Sequence, residues 1–205
     1  MMKIEIHRHR YAPFAMHCMR EEYDAFPSVD ALLVDAVPET LSPDRLAIAA
    51  FLAFGRWASG DFILPEKLSP AAAEAIEMAA HPVRVRPQPV EYYPKAIPLG
   101  STTAPLSFAP EYWPGGASLC VLPADFFNGA IITSRGIAVA SNAFLLDAAE
   151  PSTSSIRARL AVAVLFAEDF DIAALRIPAA HAPDSAELVE LKGLLSACGL
   201  GLELE

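Results

Sequence analysis

Two aspartates and two arginines stand at corresponding places in this chain. Asp35 follows the apolar run Ala31-Leu32-Leu33-Val34, and Asp147 follows Ala143-Phe144-Leu145-Leu146. The two are 112 residues apart, and so are Arg45 and Arg157 a little further along. Ligands of open α/β sheets bind beyond the carboxyl ends of the strands, so an acid placed there has access to a crevice. Two carboxylates facing one crevice would share a proton or hold a cation, because like charges at close range raise one pKa. Arg45 and Arg157 would then be counter-ions, or would grip an anion. The plainer alternative is that an Asp after a strand bonds the backbone N–H groups of the following turn, and recurs because both segments fold alike.

A second group is His7, His9, His17 and Cys18. His7 and His9 are two apart and share one face of an extended strand, a spacing found in metal sites. His17 would complete three ligands. Nothing resembling HExxH or a paired CxxC accompanies them, and an exposed basic strand end predicts the same letters. The expectation is therefore no metal and no cofactor. The third group is the hydroxyl-rich Gly100-Ser101-Thr102-Thr103, with Ser134-Arg135-Gly136 and Ser152-Thr153-Ser154-Ser155. Turns of this kind cradle small polar ligands on backbone N–H groups, and Ser101, Thr102 and Thr103 are the candidates. GxxxxGK[ST], GxGxxG and GxSxG are all absent, and ordinary turns account for the same residues. Cys120 sits in an apolar run and reads as core. Glu187, Glu190 and Lys192 read as a solvated helix face.

The elements that would position these groups come from an internal echo. Ala31, Leu33, Asp35 and Ala36 recur as Ala143, Leu145, Asp147 and Ala148, and Leu46-Ala47 recurs as Leu160-Ala161 at a spacing of 114. Pro65 returns as Pro178 and Ala73-Glu74 as Ala186-Glu187, at 113. A repeat at fixed period governs the reading of a fold. It predicts an α/β chain of two β-α-β-α-β halves about a pseudo-two-fold axis, forming one mixed sheet with a central hairpin. The domain reading is a single unit over 1–205, with halves at about 1–86 and 118–205 joined by a Pro- and aromatic-rich loop at 87–117.

In order, Met2 to His9 alternates as a first strand, and the mixed stretch around Met16 to Met19 reads as a short helix. A buried strand over Asp30 to Val37 leads to Ser42-Pro43-Asp44, a helix start made of cap, proline and acid. The helix from Leu46 to Trp57 is apolar nearly all round. Strand Phe62 to Leu64, a second Ser-Pro helix start at Ser69-Pro70, and a strand at Val83 to Val85 follow. Seven prolines between Pro87 and Pro114 predict a long irregular arm. Strand Ser118 to Leu122 precedes a hairpin of Ala130–Thr133 with Ile137–Ala140, turned by Gly136 in the left-handed region. Then come a strand at Ala143 to Leu146, a helix at Ile156 to Ala167 capped by Ser154 or Ser155, and a strand at Ala174 to Ile177. A helix at Ala186 to Ala197 capped by Asp184 or Ser185, and a last strand at Leu200 to Leu204, close the chain.

Composition narrows the function classes. Hydrophobic residues make up 54% of the 205 and charged ones 20%, more apolar than one small domain hides alone. An oligomer interface, most simply that of a homodimer, or tight packing between the two halves is the economical cover. The net charge of −10 argues against nucleic acid as a partner, since phosphate-backbone binding needs a basic face. No run of about 20 apolar residues exists to span a bilayer. Three scattered cysteines and an N-terminus without an apolar leader fit a cytoplasmic protein. The leading reading is a self-associating binding or accessory protein. The rival is a small-molecule enzyme working between the halves through the paired Asp and Arg residues.

Overall fold

A computed structural model describes residues 1–9, 12–22, 24–93, 96–110, 117–126, 129–148 and 155–205, with the backbone alone at Arg8 and His9. The chain opens with strands β1 (Met2–His9), β2 (Ala12–Arg20) and β3 (Ala31–Val34), each antiparallel to the one before. Residues 12–20 are thus a strand and not the expected short helix. Phe14, Met16 and Cys18 fall on one face at period two and are buried, and the pairing with β1 satisfies the backbone. Helix α1 (Pro43–Phe54) carries the chain to β4 (Gly60–Leu68), and α2 (Pro70–Ala79) carries it to β5 (Val85–Val90). β1, β4 and β5 are mutually parallel. β3 shares their direction, since both it and β1 oppose β2.

The expected Pro-rich arm at 87–117 is partly strand. β5 keeps Pro87 and Pro89 because it is an edge, where no partner needs their missing N–H. β6 (Thr102–Ser107) is fully internal to the sheet. After it come β7 (Ser118–Pro123), the short β8 (Ile131–Ile132) and β9 (Gly136–Ser141). β8 and β9 form the expected hairpin. Gly136 is not left-handed, however; a Cβ there would lie 2.3 Å from the carbonyl oxygen of Ser118, so close strand approach requires the glycine.

Residues 143–147 correct a further expectation: they form helix α3 (Ala143–Asp147), not a strand. A short apolar run does not distinguish the two states. Helix α4 (Arg157–Phe166), strand β10 (Ile172–Ile177), helix α5 (Ser185–Ala197) and strand β11 (Gly201–Leu204) complete the chain. Asp184 caps α5 as expected, accepting from the N–H groups of Ala186 and Glu187 at 3.0 and 2.9 Å.

The eleven strands of the described residues belong to one mixed sheet, ordered β11-β10-β6-β7-β9-β3-β2-β1-β4-β5, with β8 beside β9. Outward from its centre the two flanks run β3-β2-β1-β4-β5 and β9-β7-β6-β10-β11. Their directions differ: β6, β7, β9, β10 and β11 are all parallel, whereas β2 opposes its neighbours.

The flanks meet where Val34 pairs with Ser141, in an antiparallel junction extended by side chains. The Asn142 amide accepts from the N–H of Leu33 at 2.7 Å and donates to the carbonyl of Ala31 at 2.8 Å. The Ser141 hydroxyl donates to the Leu33 carbonyl, and the Asp35 carboxylate accepts from the N–H of Ala140.

α1 and α4 pack together at the centre of the molecule. Every residue from Asp44 to Phe54 is buried, and so is every residue of α4, as an all-round apolar helix requires. Large side chains such as Phe51, Phe54, Phe166 and Leu46 each gain about 1.5–3 kcal/mol from removal from water. On β1, Met2 and Ile4 point to this core while Lys3 and His7 face solvent. Among the described residues no helix is long and apolar enough to cross a membrane.

Candidate functional site

The two Ser-Pro helix starts of the first flank open onto one cavity of about 340 Å³. It lies beyond the carboxyl ends of β4 and β5, the position where parallel strands of an open sheet offer ligands a crevice. Ser42, Pro43 and Asp44 begin α1 on one side. Pro65, Glu66 and Lys67 from the end of β4, and Ser69 at the start of α2, form the other. Glu91, just past β5, and residues Ala96 to Pro98 close it.

The local chemistry explains this arrangement. Proline at the first helical position fixes φ and needs no N–H partner, so both helices start cleanly. Ser69 then caps α2, its hydroxyl accepting from the N–H of Ala72 at 3.2 Å. Ser42 does not cap α1. Its hydroxyl oxygen is buried and has no partner among the described residues. Asp44 is 8% exposed, and one carboxylate oxygen accepts from the N–H of Ser69 at 2.6 Å, which ties the two helix starts together. Lys67 pairs with Glu91 at 3.5 Å on the rim and leaves Asp44 without an ion pair among the described residues.

Arg45, a residue the sequence singles out, supports the far wall. It is 1% exposed, and its guanidinium donates to the carbonyl of Pro98 at 3.2 Å and to that of Cys198 at 3.4 Å. Burial pulls its pKa below the usual arginine range. Gly199 sits in the left-handed region at φ 74°, and a Cβ there would come within 2.6 Å of the Ile97 side chain. Only glycine lets the wall approach so closely.

The other expected residues lie elsewhere. Asp35 belongs to the strand junction, where burial raises its pKa against the N–H bond from Ala140. Asp147 caps α4 from a distance: it accepts from the backbone N–H of Ala158 at 2.8 Å and of Arg159 at 3.3 Å, and from Arg159 Nε at 2.7 Å. Burial raises its pKa, opposed chiefly by the bond from Arg159. The helix-capping serine expected there is thus replaced by Asp147; Ile156 holds the cap position and Ser154 lies outside the described residues. Arg157 pairs with Glu190 at 2.6 Å, not with either aspartate. Asp147 and Arg157 share the lining of one narrow cleft that Asp35 does not touch.

The hydroxyl turn is engaged with its own surroundings. The Ser101 hydroxyl bonds the Asp171 carboxylate, the Thr102 hydroxyl bonds the Asp171 carbonyl at 2.9 Å, and Thr103 is exposed nearby. All three lie at the amino end of β6, away from the carboxyl edges. His7 Nε2 donates to the Glu5 carboxylate at 3.0 Å, and its ring meets the His17 ring edge-on at 5.6 Å. The His9 side chain lies outside the described residues, and among those described no three metal-ligating side chains converge. Cys18, Cys120 and Cys198 are free and buried.

Sequence reasoning passed over two groups. Arg159, beside Asp147, stacks over the rings of Phe108 at 4.4 Å and Phe144 at 4.9 Å, and Phe108 meets His181 at 5.0 Å. A signal existed: the spacing of 114 that matches Leu46-Ala47 to Leu160-Ala161 also matches Arg45 to Arg159, two residues beyond Arg157. Asp44, Lys67 and Glu91 had no such mark, since acids and lysines near helix starts and strand ends are common in any sequence. Compared with protein-family models, curated proteins and solved structures, the chain matches none.

Proposed function

We propose that this chain binds a small molecule in the cavity at the starts of α1 and α2. One observation carries the reading: a buried acid, Asp44, and Ser42, whose hydroxyl has no partner among the described residues, line a half-open cleft at the carboxyl edge of parallel strands. Its volume of about 340 Å³ falls within the ordinary range for ligand pockets. The reading keeps the idea of a binding module and moves the site away from the aspartates of the halves. Asp35 and Asp147 are each engaged by backbone N–H groups, which favours structural roles for both. A fragment screen followed by amide chemical shifts tests it. Binders should perturb the amides of Asp44, Ser69 and Glu91, and Ile97→Trp should abolish binding by filling the space. A screen in which none of these amides responds refutes the site.

Self-association is a second reading, favoured by a specific surface. Met78 on α2, Val83 shortly after it and Val189 on α5 are 66%, 50% and 71% exposed, although α2 and α5 pack together. A homodimer through this face, in the cytoplasm, is the proposal. We also propose that the two flanks descend from one duplicated unit. Supporting it are the matching strand orders and Arg45-Leu46-Ala47 recurring as Arg159-Leu160-Ala161 in the two central helices. The opposed direction of β2 speaks for later divergence.

A further inference from the structure

The surface of α2 and α5 specifies how a second copy sits on it, on the premise that copies of this chain associate through that face. A groove of about 480 Å³ runs between the two helices. Ala75 and Leu194 are buried at its base, and Met78 and Val189 stand exposed along its sides. Of the described residues lining it, only His81 and Glu190 carry ionisable groups. Glu190 is already paired with Arg157 at 2.6 Å, and His81 stands on the rim beyond the end of α2. The groove is therefore apolar surface left open to water, the mark of an interaction site.

Gly193 makes the face more specific. It stands four residues after Val189, one turn further along the same exposed side of α5. A glycine inside a helix is destabilising relative to alanine, so its presence needs a reason of conformation or close approach. Conformation gives none, since Gly193 is not among the residues of positive φ. Packing within the chain gives none either: a Cβ there would meet no atom of the described residues within 4 Å. The gap over Gly193 faces outward. Ala186 and Ser196 continue this side of α5 at either end, exposed and small, which leaves Val189 as its one large projection.

A projection and a gap one turn apart on one surface are self-complementary under a two-fold axis. With the axis between them and the two α5 helices antiparallel, Val189 of each copy faces Gly193 of the other. Lys192 lies on the flank opposite Glu190, and a crossing near the common angle of about 50° carries it clear of its copy. Size agrees with this occupant. Helices of 10 and 13 residues, about 15 and 20 Å long and about 10 Å apart, give a footprint roughly 20 Å square. With side-chain relief, that approaches the lower limit of a stable interface, about 600 Å² per partner.

We infer that α5 of one copy lies antiparallel across α5 of a second, each Val189 seated over the other's Gly193, with Met78 closing the groove beside the crossing.

Sedimentation equilibrium on the full chain and its variants tests the crossing. Gly193→Leu fills the gap and should weaken the dimer at least about a hundredfold. The new side chain meets nothing within the single chain, so the melting temperature of the dilute monomer should stay the same or rise. Val189→Ala removes the projection and should weaken the dimer about tenfold. Mixing the two variants exchanges projection and gap at one of the two contacts. The mixed pair should therefore bind more tightly than either variant binds itself, within about tenfold of the unchanged dimer. A dimer broken by Val189→Glu but indifferent to Gly193→Leu, or a mixture no tighter than its components, overturns the crossing and leaves the face as the interface. A chain that stays monomeric, or a dimer indifferent to both Val189→Glu and Gly193→Leu, overturns the crossing and the face together.

Discussion

Replacing Asp147 by Ala tests the most heavily used side chain of the second flank. Its carboxylate holds two backbone N–H groups at the start of α4 and the Nε of Arg159. Asp147 and Arg159 are 7% and 8% exposed. Truncating one member of a buried pair costs about 3–5 kcal/mol, because the other charge is left without compensation. Loss of the cap, worth about 1 kcal/mol, overlaps with that figure because the same oxygens are involved. Arg159 keeps its bond to the Ser155 carbonyl and its stacking on Phe108 and Phe144, which holds the loss toward the lower end. A chain of this length loses about 2–4 °C of Tm per kcal/mol, so the midpoint should fall by roughly 6–20 °C. Urea melts should show a lower midpoint with an unchanged slope. In a double-mutant cycle, Asp147→Ala with Arg159→Met should cost clearly less than the two single changes together. A loss below about 1 kcal/mol for Asp147→Ala, or strict additivity in the cycle, would refute this account of the pair.

Four further outcomes follow from the same structure. Burial raises the Asp35 pKa above its ordinary value of 3.8, so ionisation in the folded state is unfavourable and stability from this group is lost as pH rises through the raised value. Asp35→Asn should therefore gain stability relative to the unchanged protein as pH is raised from about 4, and a pH-independent difference in urea melts would contradict this. Burial pushes Cys198 up to about 12 and Cys18 up to about 11, so a thiol reagent at pH 8 should label neither until the chain unfolds. Light scattering at micromolar concentration should give about twice the 21.9 kDa chain mass, with Val189→Glu shifting it to one; a monomer throughout a hundredfold dilution would remove the dimer proposal. Dialysed protein should carry no stoichiometric zinc, and His7→Ala should leave its melting point unchanged in chelator; retained metal lost on that substitution would reverse the reading of His7 and His17.

Much of the fold was legible because several rules agreed locally. Ser69-Pro70 and Asp184 each marked a helix start, and the absence of any polar face on α1 and α4 announced their central position. What failed was short and ambiguous. Ala143 to Leu146 suits a strand or a helix equally, and its own local bonds chose the helix. Proline made β6 look like loop, yet Pro105 stands in the interior of the sheet. The echo of Asp35 at Asp147 was real in sequence but not in role, since the two carboxylates serve a strand junction and a helix start. The site was the least legible part. Asp44 matters through a bond to Ser69, 25 residues away, and no local pattern announces a meeting of two helix starts.

The junction of β3 and β9 bears on how copies of this chain can mix. A plain strand edge is a repeating row of donors and acceptors, open to almost any extended segment. Here the row is interrupted by an amide matched to two backbone groups across the gap, and by a hydroxyl and a carboxylate matched to one each. A foreign strand laid along β3 would leave the Asp35 carboxylate without its N–H and the Leu33 groups without their side-chain partners. Unmet buried groups of this kind carry a penalty of about 1–3 kcal/mol apiece. The junction thus works as a keyed fastening: it accepts only the flank of this same sequence, and any other strand laid there leaves its key unmatched.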